Sequence, residues 1–263
     1  MRGHLLDTTA ALDAHLRAEL LADDRVTHAV AYGSVPQGTA DAWSDVEYWA
    51  FLAPGTDAEA ATWLRDRLPV LHTLVNEFGT TVALLPGLRR VELHLVPQHR
   101  LPEVENWTPE HVNPARMLVK DTDGQLAAHL AALSARTPDP PGEAQMTLDR
   151  TLNWLILGLN VLARGERLRA LEVLWWIQGG VLRLARLRSG HTQHWGNATR
   201  RAEWEVDTVT VGRSAQLTCD LDGLEPAYMA AVQWTLELAE ALNLSVPPEL
   251  ATDLRQAVHT HPA

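Results

Sequence analysis

The stretch Tyr32-Gly33-Ser34-Val35-Pro36-Gln37-Gly38-Thr39-Ala40-Asp41-Ala42-Trp43-Ser44-Asp45-Val46-Glu47 decides how the chain reads. On its N-terminal side, Val26 to Tyr32 is an apolar, β-rich run that predicts a strand, closed by a tight turn at Gly33-Ser34. A glycine there lets backbone approach a ligand closely, and the turn's N–H groups with the Ser34 hydroxyl suit phosphate oxygens. Taken alone, a Gly-Ser pair also fills ordinary turns. Residues 35–43, with Pro36, Gly38 and Asp41, predict a loop. Asp45 to Leu52 predicts a second strand.

On that strand Asp45 and Glu47 are two apart and share one face, while Val46, Tyr48, Ala50 and Leu52 form the apolar face. Two carboxylates side by side repel each other unless a cation intervenes. The pair therefore suggests a metal site whose hard oxygen ligands suit Mg²⁺; the competing reading is an edge strand with solvated acids. Arg89-Arg90-Val91-Glu92-Leu93-His94-Leu95 alternates in the same way, with Arg90, Glu92 and His94 opposite an apolar face. If the two strands are neighbours, Glu92 completes a cluster of three acids of the kind that two-metal phosphoryl chemistry uses. Otherwise Glu92 is a surface acid paired with Arg90. His94 reads either as a half-buried structural histidine or as a substrate contact. Trp49 shares the face of Asp45 and Glu47 and is the tryptophan expected to contact substrate, by stacking on the adenine or the acceptor. Most of the other tryptophans, Trp154, Trp175, Trp176 and Trp234 among them, fall on helical faces and suit core packing.

Outward from this segment, residues 4–22 and 57–75 predict helices, Val82–Leu85 and Val91–Val96 two strands, Arg116–Lys120 a further strand and Gly124–Ser134 a helix. Thr137-Pro138-Asp139-Pro140-Pro141-Gly142 reads as a linker. Beyond it, residues 144–188 predict two long helices broken near Gly165, followed by helices over 224–242 and 247–258. The expectation is α+β: a mixed sheet flanked by helices over 1–137, then an all-α bundle over 143–263.

The chain has 263 residues and a formal net charge of −11, which argues against gripping a nucleic-acid backbone. A nucleotide substrate remains open, because a divalent metal bridges acids to phosphates. One cysteine, Cys219, rules out an internal disulfide. The sequence shows no signal peptide and no apolar membrane span, so a cytoplasmic protein is expected. Lys120, the only lysine, reads as a strand-end surface residue or a phosphate contact. Arg169 and Glu172 suit a surface pair.

These motifs together resemble the polymerase-β-like nucleotidyltransferase superfamily, and within it the two-domain lincosamide nucleotidyltransferases. The resemblance rests on Tyr32-Gly33-Ser34, Ser44-Asp45-Val46-Glu47, Glu77-Phe78-Gly79-Thr80 and Glu92-Leu93-His94-Leu95. It continues through Leu118-Val119-Lys120-Asp121-Thr122-Asp123-Gly124-Gln125-Leu126, Gly158 to Glu166 and Ala170 to Leu174, spanning about residues 10 to 190. It implies that Gly33, Ser34 and Ser44 hold a nucleoside triphosphate, that Asp45 and Glu47 carry Mg²⁺, and that Glu92 ligates metal or takes the acceptor's proton. It further implies transfer of AMP from ATP to a hydroxyl of a small molecule, often by a homodimer, with the acceptor between the domains. Glu47, where the superfamily more often has Asp, matches the lincosamide branch. Alternatives of other classes are an aminoglycoside, protein or tRNA acceptor, and a non-catalytic relic of the fold. The Arg186–His191 spacing also resembles the motif of certain helical ribonuclease domains of toxin–antitoxin pairs.

Overall fold

In a computed structural model, residues 6, 8–109, 111–137 and 140–257 are described. The chain divides into two compact units, Met1–Pro138 and Asp139–Ala263.

The first unit is built on a six-stranded mixed sheet. Its elements are α1 (Thr9–Ala22), β1 (Val26–Tyr32), α2 (Ser34–Gln37), β2 (Val46–Leu52), α3 (Ala60–Arg67), β3 (His72–Val75), β4 (Thr81–Leu85) and β5 (Arg89–Pro97). A 3-10 helix (Gln98–Asn106), α4 (Pro114–Met117), β6 (Leu118–Asp121) and α5 (Gln125–Ala135) follow. The strand order is β3-β4-β5-β2-β1-β6, with β2 and β5 parallel and the other neighbours antiparallel. The α+β expectation thus holds. One face of the sheet buries Val46, Tyr48, Ala50, Val91 and Leu93 beneath Leu12, Leu16 and Leu20 of α1 and Trp63 and Leu64 of α3. On the other face Val30, Phe51 and Val96 pack against Leu101 and Val104 of the 3-10 helix and Leu126 and Leu130 of α5.

Four local expectations need correction. The helix predicted over 57–75 stops at Arg67, and Leu68 is extended (φ −125°, ψ 154°). Pro69 disfavours α geometry at the residue before it, so the chain re-emerges as edge strand β3. Part of the predicted loop over 35–43 is the short helix α2. Asn113 caps α4 through its side chain, so Pro114 and Arg116 are helical and β6 starts only at Leu118. The expected linker shortens because the next helix starts at Pro140; proline is tolerated in a first turn, where its missing N–H has no helical partner. Residues 138 and 139 of that linker lie outside the described residues.

The second unit holds α6 (Pro140–Ala163), α7 (Arg167–Ser189), α8 (Ala202–Glu205), α9 (Thr208–Ala215), α10 (Leu224–Ala241) and α11 (Pro248–Ala257). Its core joins Leu148 and Leu155 of α6, Val173, Ile177 and Leu184 of α7, and Tyr228, Ala231 and Trp234 of α10. The tryptophans divide. Trp234 is buried and Trp154 and Trp176 pack against the core, but Trp175 is 71% exposed. Gly190 ends α7 in a left-handed conformation, leaving His191 outside the helix. Arg186 is fully buried and donates to the carbonyls of Ala198 and Arg200 and to Glu205, so its guanidinium is committed to structure. No helix among the described residues is long and apolar enough to cross a membrane.

Candidate active site

The parallel pairing of β2 with β5 runs in straight register: Glu47 lies beside Glu92, Trp49 beside His94, and Phe51 beside Val96. These odd-numbered residues of β2 and even-numbered residues of β5 share one face of the sheet. The face therefore grades along the strands from charge, through aromatic rings, to the aliphatic core. Asp45 sits one residue before β2 begins and joins the charged end.

Arg90 organises that end. Its guanidinium holds Asp45 Oδ2 at 2.8 Å through Nη1 and Glu92 Oε1 at 2.6 Å through Nη2. The sequence had offered Arg90 as a partner for Glu92 alone. Burial pushes the Asp45 and Glu92 carboxyls above their ordinary range; Arg90 opposes this at both, and the Asp45 and Glu77 charges add to the rise at Glu92. Tyr32, opposite Glu47 on β1, is raised by burial and by Glu47 and Glu92.

The turn after β1 meets the acids directly. Gly33 has φ 76° and ψ −151°, a conformation essentially confined to glycine. A Cβ there would strike the Glu47 carboxylate, so glycine at this position is what lets strand end and acid share the space. Ser34 opens α2 immediately afterwards. Ser44 is engaged within the loop: its Oγ donates to Asp41 Oδ1 at 3.0 Å and accepts from the Asp41 N–H at 2.9 Å.

Trp49 and His94 stack on each other with ring centroids 3.7 Å apart and planes 16° from parallel. Trp107 leans against Trp49 at 5.2 Å and against Tyr32 at 6.0 Å, and the Arg100 guanidinium lies 5.7 Å from the Trp49 centroid. His94 Nε2 is 2.6 Å from Thr80 Oγ1. Burial, then the Arg100 charge, lowers the His94 pKa to about 4, so the ring is neutral at pH 7. The pair forms an aromatic wall between the acids and the core. Trp107 and Arg100 carry no signal of this in the sequence, since the 3-10 helix brings them to β2 from more than 50 residues away.

Among the described residues, one group brings ligand-type atoms within 4.8 Å of one another, and it is His28, Asp121 and Asp123 rather than the predicted acids. Hydrogen bonds already occupy these atoms. Asp121 accepts from the N–H groups of Gly124 and Ala127, Asp123 accepts from that of Gln125, and buried His28 Nε2 lies 2.8 Å from Asp123 Oδ1. This is the capped entry to α5, pinned to β1. Asp45, Glu47 and Glu92 do not reach that mutual spacing; Asp45 and Glu92 hold Arg90 instead. The chemistry of the donor set nevertheless fits a divalent cation. Asp45 and Glu92 meet on one guanidinium and Glu47 lies beside Glu92 in the strand register; Asp45 and Glu92 are raised by burial, and Arg90, which holds them, is 43% exposed on a flexible stem that can swing aside. Lys120 is not a phosphate ligand: its Nζ donates to the carbonyls of Leu21 at 3.0 Å and Asp23 at 2.9 Å, capping the C-terminus of α1.

Residues 143–261 match the family described as lincosamide nucleotidyltransferase-like, C-terminal domain. The matched residues make up most of the C-terminal unit. The match runs well past residue 190, where the motif-level resemblance ends. The chain is also similar to an aminoglycoside 6-adenyltransferase from Bacillus subtilis, at 14% identity over 95% of this chain and 97% of that one, with a TM-score of 0.39. It is similar to a nucleotidyltransferase-like protein from Exiguobacterium sibiricum, at 14% identity over 95% of this chain and 89% of that one, with a TM-score of 0.42. No curated protein matches it.

Proposed function

We propose that the protein is a magnesium-dependent adenylyltransferase that moves AMP from ATP to a hydroxyl of a small molecule of the lincosamide-antibiotic class, acting as a homodimer. The observation that carries the reading is the side-by-side placement of Glu47 and Glu92 on parallel strands, next to Asp45 and against the Gly33-Ser34 turn. The lincosamide nucleotidyltransferase-like C-terminal unit supports the class of acceptor.

In this reading Asp45 and Glu47 would hold Mg²⁺, which neutralises triphosphate charge when bound. The Gly33-Ser34 turn receives phosphate oxygens. Arg90 leaves the carboxylates as nucleotide enters and remains close enough to meet its charge. Glu92 takes the proton of the acceptor hydroxyl as that oxygen attacks the α-phosphorus and pyrophosphate departs; such a base contributes roughly 10²–10⁴-fold. Trp49 and His94 bound the chamber, with the neutral imidazole offering no competing charge.

The test is incubation with ATP, Mg²⁺ and lincomycin or clindamycin, read by pyrophosphate release and by mass spectrometry for an added AMP. Product with an aminoglycoside, a protein or a tRNA instead would reassign the acceptor within the same chemistry. No pyrophosphate with any hydroxylated acceptor would overturn the reading.

A further inference from the structure

Two arginines one turn apart on α7 fasten the same loop through its carbonyls. Arg186 takes Ala198 O and Arg200 O and is neutralised by Glu205 at 2.7 Å. Arg183 takes Trp195 O at 3.1 Å through Nε and Gly196 O at 2.9 Å through Nη2, yet no carboxylate pairs with it among the described residues. Glu143, whose charge partly offsets that of Arg183, accepts the Trp195 indole N–H at 2.9 Å, and Arg150 adds a second positive charge nearby. Desolvation and the Arg150 charge both lower the Arg183 pKa, the mark of a cation short of an anion.

The unused end of Arg183 faces a cavity. Nη1 is 3.9 Å from where a Cβ on Gly179 would stand, and Gly179 lies in the wall of a hollow of about 510 Å³. Trp154, Trp175 and Trp176 line the same hollow, together with residues 196–199. The first and last of these indoles stand 6.2 Å apart and tilted by 57°. A second hollow of about 340 Å³ shares Trp154, Arg183 and Gly196 and adds Arg150 together with Glu143, so the guanidinium also borders this hollow. Clefts of roughly 300–1,000 Å³ hold small organic ligands, with apolar walls and a few aimed polar groups. Aromatic walls select a flat ring system, and a guanidinium with no carboxylate in direct contact selects an anion through charge-assisted hydrogen bonds.

We propose that this cavity binds a flat aromatic carboxylate, its carboxylate on Arg183 Nη1 and its rings against Trp154 and Trp176. In a chain of net charge −11, a local surplus of arginine is what allows an anion to enter. The site lies wholly within the C-terminal unit and does not rest on the adenylyl-transfer reading.

The experiment is calorimetric titration of the full chain with 1-naphthoate and with its uncharged analogue 1-naphthamide, without nucleotide or magnesium. One saturable site for naphthoate is expected, with naphthamide at least about tenfold weaker, the consequence of losing a charged hydrogen-bond partner. Arg183→Met should weaken naphthoate by a similar factor. Because Arg183 also fastens the loop, Gly179→Leu provides a second test: it fills the hollow, and leucine favours a helix interior over glycine. Gly179→Leu should abolish binding while the melting temperature is kept. Absence of saturable binding, equal affinity for the amide, or naphthoate binding that survives Gly179→Leu would each overturn the proposal.

Discussion

Replacing Gly33 by alanine separates a site built around Glu47 from one that merely contains it. Two costs follow from the structure. At φ 76° and ψ −151° the backbone is strained for any residue with a Cβ, by roughly 1–3 kcal/mol. For a chain of this size each kcal/mol lowers the melting temperature by ~2–4 °C. The second cost is local: the new methyl would overlap both carboxylate oxygens of Glu47, which must move by about 1 Å, and a misplacement of that size costs on the order of 10²-fold in rate. Gly38 supplies the control in the same turn. It too has positive φ (76°, ψ 19°), and Gly38→Ala carries a left-handed penalty of about 1–2 kcal/mol. Its added methyl meets only the end of the Arg116 side chain, a flexible exposed group whose one long hydrogen bond there, to the Val35 carbonyl at 3.5 Å, is easily given up. The assay is steady-state pyrophosphate release beside thermal melting for both variants. Gly33→Ala should lose about 10²-fold in kcat, and Gly38→Ala should lose stability while staying within about threefold of the parent in kcat. Equal losses of activity in the two variants would refute the reasoning, since strain in the turn would then explain both.

Asp45→Asn and Glu47→Gln should each abolish turnover at saturating Mg²⁺ with the melting temperature kept; near-parental rates in either variant would remove that residue from the metal site. Glu92→Gln should slow transfer by roughly 10²–10⁴-fold while nucleotide affinity changes little, whereas an affinity loss as large as that of Asp45→Asn would make Glu92 chiefly a metal ligand. The raised folded-state pKa of Glu92 means its carboxyl favours the folded state below the ordinary carboxylate range and loses that contribution as pH rises through the folded value. The metal-free Glu92→Gln protein should therefore melt higher at pH 7, with the gain vanishing near pH 4, and a gain constant with pH would contradict the burial argument. His94 has the opposite sign: its pKa of about 4 lies below the ordinary histidine value, so its contribution is full above about pH 6.5 and is lost as pH falls towards 4. His94→Phe keeps a ring on Trp49 and should flatten melting temperature against pH across that window; an unchanged slope would mean that His94 is not the group titrating.

What was legible in the sequence was whatever alternation and punctuation encode. The bounds of β1, the apolar faces of β2 and β5, and the break between α6 and α7 at Gly165 all follow from patterns within a few residues. The neighbour relation of β2 and β5 did not, because strand register is set by tertiary packing between segments more than 40 residues apart. The double engagement of Arg90 depends on that register and was invisible with it. The segment 57–75 misled because the apolar spacing of a helix continues past Pro69, while the proline itself redirects the chain into β3. Trp49 and His94 were selected singly, as residues on an acidic face; that their rings lie flat on each other is a property of two strands and of neither sequence alone. The vacant counter-charge of Arg183 likewise emerges only from seeing which arginine of the pair received a glutamate.

Lys120 carries a practical consequence. It is the chain's one side-chain amine, and it is tied to carbonyls at the end of α1. Acylation converts that ammonium into a neutral amide too bulky for the same seat and strips the helix end of its donors. In the native fold the half-buried amine is held by those carbonyls, so acylation competes with the hydrogen bonds that tie α1 to β6. The rate at which an amine-selective ester tags Lys120 would then report how readily those hydrogen bonds open; the tag is read on the Lys120 peptide, because the α-amine of the chain is acylated as well.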